Sequence, residues 1–163
     1  MKKKIYQLLY IPILVIIIGF LSFWYWKIAP EALEAKKRLR ELKNIEVKEV
    51  IVSPSIQQTS LYNDSFVLSN SADMNNIVLE VSEAQKDEEA PGLIKWTMVL
   101  DFIDYSGNSY LKVQVYYSHK EVSYVHLWSD GEIGWDWGQF KAKELGPMIE
   151  AIIEKRRLLP TKK

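Results

Sequence analysis

LIKWTMVLDFIDYSGNSYLKVQVYYSHKEVSYVHLWS, residues 93–129, reads as three consecutive β-strands. Val, Ile, Phe, Tyr and Trp recur through it, and turn residues break the run twice. The first strand spans Leu93 to Tyr105 and the second Tyr110 to Ser118. Gly107-Asn108 between them predicts a two-residue type II′ turn. Pairing Ser106 with Ser109 then sets Phe102 opposite Val113, Leu100 opposite Val115 and Met98 opposite Tyr117 on one face. Asp101 with Gln114, Ile103 with Lys112 and Val99 with Tyr116 fall on the other.

The third strand, Glu121 to Trp128, has a face that depends on one loop. A two-residue turn at His119-Lys120 sends Val122, Tyr124, His126 and Trp128 to the core. An odd loop flips them to the opposite face, where they join Tyr110 and Tyr116 in an aromatic platform. The core-facing register buries the bulkier set and is the one expected. His126 is then a hydrogen-bonded core histidine.

Downstream, Ser129 to Glu132 is a turn and Ile133 to Phe140 a last strand. Gly134 and Gly138 bracket Trp135-Asp136-Trp137, as at a bulge or a close backbone approach. With Tyr116, these three residues form the candidate ligand- or partner-binding site: two indoles and a carboxylate can stack on a sugar or clamp a peptide. The plainer reading is a bulged edge strand with one tryptophan buried. Lys141 to Arg157 closes the chain as a helix, with Leu145, Met148, Ile149, Ile152 and Ile153 on its apolar face. Pro147 restricts its regular part to begin near Leu145.

Upstream, Lys86 to Gly92 is a charged loop. Ser71 to Gln85 is an amphipathic helix, capped by Asn70 or Ser71, with Met74, Ile77, Val78 and Val81 buried. Ser65 to Ser69 and Ile45 to Ser53 are strands. Pro30 to Lys43 reads as a polar helix stapled by Glu34 and Arg38, a solvated stalk with a thin stripe of Leu33, Leu39 and Leu42.

Ile5 to Trp26 is 22 residues without a charge. As a helix it reaches roughly 33 Å, enough to cross a hydrocarbon core of about 30 Å. Lys2, Lys3 and Lys4 precede it and Lys27 follows. Trp24, Tyr25 and Trp26 lie at one end in the manner of an aromatic belt. The run is too long for a signal-peptide core and no small-residue cleavage site follows, so an uncleaved anchor is expected. The lysines abutting the N-terminal end favour a domain outside the cytoplasm, in a plasma or inner membrane. Lys36 to Lys43 argue the other way.

The expected division is a basic N-terminus at 1–4, a transmembrane helix at 5–26, a helical stalk at 27–44, an α+β domain at 45–158 and a basic tail at 159–163. The domain should be an antiparallel sheet with two helices on one face. All 21 acidic residues follow the anchor, against 18 basic ones (21 less Lys2, Lys3 and Lys4), which argues against a nucleic-acid partner. The chain has no Cys and only two His, so thiol catalysis and a His- or Cys-based metal site are not expected. No sequence motif of hydrolases, zinc proteases or phosphate loops is present. Asp101 and Asp104 would fall on opposite faces of one strand, which precludes shared acid–base work.

A non-enzymatic binding module is therefore expected, without cofactor. It would be held in the bilayer by residues 5–26 and act on a protein partner, as a subunit of a membrane complex or an inhibitor- or immunity-type module. The alternatives are a ligand- or sugar-sensing domain with an aromatic surface, and a tethered cytoplasmic adaptor.

Overall fold

The structure, a computed structural model, describes residues 13–22, 33–55, 60–69, 71–87, 92–129, 132–133 and 138–158. The chain is α+β, built on an antiparallel sheet. In chain order the elements are α1 (33–41), continued by a 3-10 turn at Leu42–Asn44, β1 (Val47–Pro54), β2 (Phe66–Ser69), α2 (Ala72–Ser82) and β3 (Gln85–Asp87). There follow β4 (Ile94–Asp104), β5 (Ser109–Ser118), β6 (Ser123–Ser129), β7 (Glu132–Ile133), β8 (Gln139–Lys141) and α3 (Leu145–Leu158). The strands lie in the order β2-β1-β4-β5-β6-β8-β3, with β7 paired to β6.

Alternation along the long strands builds one continuous apolar face. Val50 sits between Leu68 and Phe102, and Val52 between Phe66 and Leu100. Across the centre, Leu100 meets Val113, which meets Leu127. Three helices cover this face. Ser71 caps α2, its hydroxyl accepting from the Met74 amide at 3.1 Å, and Met74, Ile77 and Val81 are buried. Leu145, Ile149, Ile152 and Ile153 of α3 join the same core. Gly146 lets α3 reach the sheet: a Cβ there would lie 2.3 Å from the Tyr117 ring, and its amide donates to Ser123 Oγ at 2.7 Å.

The third helix on that face is α1, which the sequence presents as a solvated stalk. Its Ala35, Leu39 and Leu42 are completely buried, while Leu33 is 72% exposed. The stripe runs i, i+4, i+7 once the small alanine is counted as a core residue. The helical part of the expected stalk is thus part of the folded core.

Both hairpin loops also differ from expectation, and in the same way. At β4–β5, Gly107 N donates to Asp104 O and Asp104 N to Asn108 O, each at 3.0 Å, with Gly107 left-handed at φ +81°. At β5–β6, Glu121 N donates to Ser118 O and Ser118 N to Val122 O, each at 3.0 Å, with Glu121 left-handed at φ +60°. Each is a three-residue loop: a type I turn followed by a left-handed residue.

The first loop sets Ile103 opposite Ser109, and an irregularity between Phe102 and Ile103, which leaves Tyr110 unpaired, brings the net shift in register to two residues. Leu100 therefore faces Val113 instead of Val115, and the paired side chains beyond the irregularity keep their faces. The second loop is odd, so Tyr124 and His126 lie on the face opposite the core, contrary to the expected register; Val125 and Leu127 point to the core instead. Tyr110 does not join them. A register shift between Phe102 and Ile103 leaves it out of the ladder, and it packs against the apolar core. The charged loop at 86–92 contributes β3, and the expected last strand is divided into β7 and β8.

The apolar run shows a helix over 13–22, in which no residue is buried. Among the described residues no helix is long and apolar enough to cross a membrane. The remainder of the 5–26 run, with Lys2, Lys3, Lys4, Trp24, Tyr25, Trp26 and Lys27, lies outside the described residues.

Candidate functional site

The face of the sheet away from the three helices has a polar centre, which the odd loop between β5 and β6 completes. Thr97 of β4, Gln114 and Tyr116 of β5, and Tyr124 and His126 of β6 stand on it in adjacent rows, because Thr97 pairs with Tyr116, Tyr116 with Tyr124, and Gln114 with His126. All five are buried. A sheet face so rich in hydroxyl, amide and imidazole groups gains little from burial alone, and each polar atom in it requires a partner.

Some of those partners are present. Gln114 Nε2 donates to Ser55 Oγ at 3.2 Å, tying β5 to the end of β1. His126 Nε2 lies 3.2 Å from Gln139 Oε1, tying β6 to β8. As the amide oxygen only accepts, the neutral imidazole holds its proton on Nε2 in this pair. The Tyr116 and His126 rings meet edge to face, with centroids 5.0 Å apart. Two buried oxygens have no hydrogen-bond partner: Thr97 Oγ1 and Gln114 Oε1. The indole Nε1 of Trp128, farther along β6, is buried in the same condition.

Electrostatically the cluster is neutral. Burial pushes the Tyr116 phenol up to about 12. Burial lowers His126 below the ordinary imidazole range, opposed by its hydrogen bond to Gln139. At neutral pH the site therefore offers hydrogen bonds and ring edges, and no formal charge.

Of the site residues expected from the sequence, Tyr116 is in this cluster, buried to 3% exposure and so unable to serve as an open stacking platform. Trp135, Asp136 and Trp137 lie outside the described residues. The chain around them is fixed at both ends on β6: Ile133 pairs with Trp128, and Phe140 pairs with Val125. Thr97, Gln114, Tyr124 and His126 were not singled out by sequence as site residues. The signal available for them was the loop length at His119-Lys120-Glu121, which controls the face of β6.

The carboxylates weighed for acid–base work have structural roles. Asp101 pairs with Lys112 at 3.1 Å. Asp104 Oδ1 accepts from the Asn108 amide at 3.0 Å inside the hairpin loop. Among the described residues no cluster of three His, Asp or Glu side chains is arranged to hold a metal ion. Comparison of the chain with protein-family models, with curated proteins and with solved structures finds no match.

Proposed function

We propose that the chain is a membrane-tethered binding module. Its sheet face away from the helices, together with Trp135, Asp136 and Trp137, receives a protein partner outside the cytoplasm. The observation that carries this reading is the polar centre of that face. Thr97 Oγ1 and Gln114 Oε1 are buried without partners, at a cost of about 1–3 kcal/mol each. Folding does not require such groups, since an apolar residue of similar shape would fill the same space. At 0% and 1% exposure Thr97 and Gln114 meet a partner only where that face opens, and what they then offer suits a neutral polar group such as peptide backbone more than a charged one.

The tether rests on residues 5–26. The part of it described, 13–22, is apolar around its circumference, with Ile16 69% and Leu21 61% exposed. A helix apolar on all sides needs an apolar surrounding, and a bilayer supplies one. The outward orientation rests on Lys2, Lys3 and Lys4. The opposing cations of α1 belong to a helix packed into the folded domain, and domains translocate largely regardless of their charge.

The test joins topology to contact. A reporter active on one side of the membrane is fused after Lys163, and a photo-crosslinking residue replaces Trp137 or, on the helix side, Glu154. The reading expects an external reporter and a protein adduct formed from position 137 and not from 154. An internal reporter would make the chain a cytoplasmic adaptor. Adducts from both positions alike, or from neither, would remove the sheet face away from the helices as the docking surface.

A further inference from the structure

Outside the polar sheet face, α1 borders a groove. This helix treats its two flanks differently. On one flank Glu34 pairs with Arg38 at 3.2 Å and Lys37 with Glu41 at 4.0 Å. On the other, Lys36, Arg40 and Lys43 follow at i, i+4 and i+7, and none of them makes an ion pair among the described residues. Elsewhere in the domain, Lys95, Lys112 and Lys141 each have a carboxylate. Lys48, Lys120, Lys143 and Lys155 also lack an ion pair among the described residues, but Lys36, Arg40 and Lys43 are the three that share one helix flank and one groove.

They are also gathered around a concavity. Lys36, Arg40 and Lys43 line a groove of about 750 Å³ between α1 and the segment joining α2 to β3, with Lys86 on the far wall and Glu83 the only carboxylate among the described residues. The adjoining groove of about 340 Å³ provides an internal contrast. It mixes Lys141 and Lys143 with Glu80, Glu83 and Glu144 and has no excess of positive charge. Among the described residues the larger groove sets Lys36, Arg40 and Lys43, none of them in an ion pair, against the single carboxylate of Glu83.

We propose that this groove binds a phosphate-bearing anion of about two charges, the complement of the excess that Lys36, Arg40 and Lys43 hold over Glu83. Arg40 supplies the planar fork suited to a phosphoryl group, and the lysines supply point charges around it. Such chemistry has two sources, a lipid headgroup or a soluble phosphorylated molecule. Lys36 lies ten residues beyond Trp26. The six residues between Trp26 and α1 reach at most about 20 Å and the first turn of α1 adds roughly 6 Å, so a headgroup can reach the stripe if the domain leans on the bilayer. That source alone depends on the tethered reading above; the free-phosphate source does not.

The test uses the full chain and reads amide hydrogen exchange across residues 33–44. In one arm the chain is in a neutral maltoside detergent and is titrated with pyrophosphate. In the other it is in nanodiscs of phosphatidylcholine, with or without phosphatidylglycerol. The variants are K36Q/R40Q/K43Q and, with the same loss of charge outside α1, K48Q/K120Q/K155Q.

The proposal expects severalfold slower exchange of α1 with pyrophosphate, with phosphatidylglycerol, or with both. It expects at least a tenfold loss of affinity in the groove variant and near wild-type behaviour in the control. Protection by the lipid alone assigns a headgroup; protection by pyrophosphate alone assigns a soluble ligand. Equal losses in the two variants would mean generic attraction to charge and overturn the site, as would no protection in either arm. A chain that does not enter nanodiscs counts against the tether, and the pyrophosphate arm still decides the groove.

Discussion

The two faces of the sheet are built from the same strands and serve different ends. On the helix side, Val50, Leu100, Phe102, Val113 and Leu127 are fully buried in one apolar cluster closed by α1, α2 and α3. On the other side, Thr97, Gln114, Tyr116, Tyr124 and His126 are buried almost as deeply, and two of their oxygens lack partners. Burial is thus common to both faces, while its contribution to stability differs. Apolar area removed from water contributes roughly 25 cal/mol per Å², whereas an unpaired buried oxygen subtracts from the total. The difference separates residues that hold the fold from residues that the fold holds.

Truncating the helix-side face should have the largest effect. Phe102 is fully buried opposite Val50 and Leu111. Phe102→Ala removes its ring from a face that three helices have closed, and the cavity collapses only in part. The expected loss is about 3–5 kcal/mol, or roughly 10 °C or more in Tm. Thermal unfolding followed by far-UV circular dichroism measures it. A loss below about 1 kcal/mol would mean that this face is not the core and would remove the contrast between the two sides.

The polar face should respond with the opposite sign. Thr97→Val keeps the β-branched shape and deletes the unpaired hydroxyl in the row shared with Tyr116. It should stabilise the protein by about 1 kcal/mol. The same unfolding assay reads this as a rise in Tm, and crosslinking from position 137 should weaken at the same time. A destabilised Thr97→Val would show that the hydroxyl contributes to the fold, and the polar face would then resemble any other buried hydrogen-bonded network.

Much of the helix side was legible in the sequence, because period carries it. Met74, Ile77 and Val81 are spaced for one face of a helix, as are Leu145, Ile149 and Ile152, and the structure buries them all. The strand pairs survived even a wrong turn type, since a shift of two residues preserves alternation. Face assignment in β6 did not survive, because a shift of one residue inverts it. The relevant loop gave no compositional cue. Its left-handed position is held by Glu121, whereas the equivalent position of the first hairpin has Gly107. Glycine announces such a position and glutamate does not. Ser118 supplies a substitute signal, with its hydroxyl accepting from the Val122 amide at 3.3 Å, much as Asp104 Oδ1 accepts from Asn108. The buried flank of α1 was missed for a related reason: Ala35 is a core residue too small to register in a stripe of leucines.

The smallest effect expected from the comparison is a dependence on pH confined to the polar side. Burial lowers the pKa of His126 in the folded protein, whereas the unfolded chain has an ordinary imidazole near about 6.5. Above that value both states hold the ring neutral, and His126 adds no slope. As pH falls below it, the unfolded chain binds a proton that the folded protein resists, so stability drops until the folded pKa is passed. His126→Gln removes the titration and keeps a group able to donate to Gln139 Oε1. Wild-type protein should therefore lose more Tm between pH 7.5 and pH 5.5 than the variant does, both values being chosen to lie about one unit either side of the free imidazole. The helix-side variant Phe102→Ala, compared over the same range, should keep the wild-type slope at a lower Tm. If His126→Gln keeps the full slope, the ring is no more sequestered than one in the unfolded chain. The polar face would then be open to water, and the two sides of the sheet would differ in burial after all.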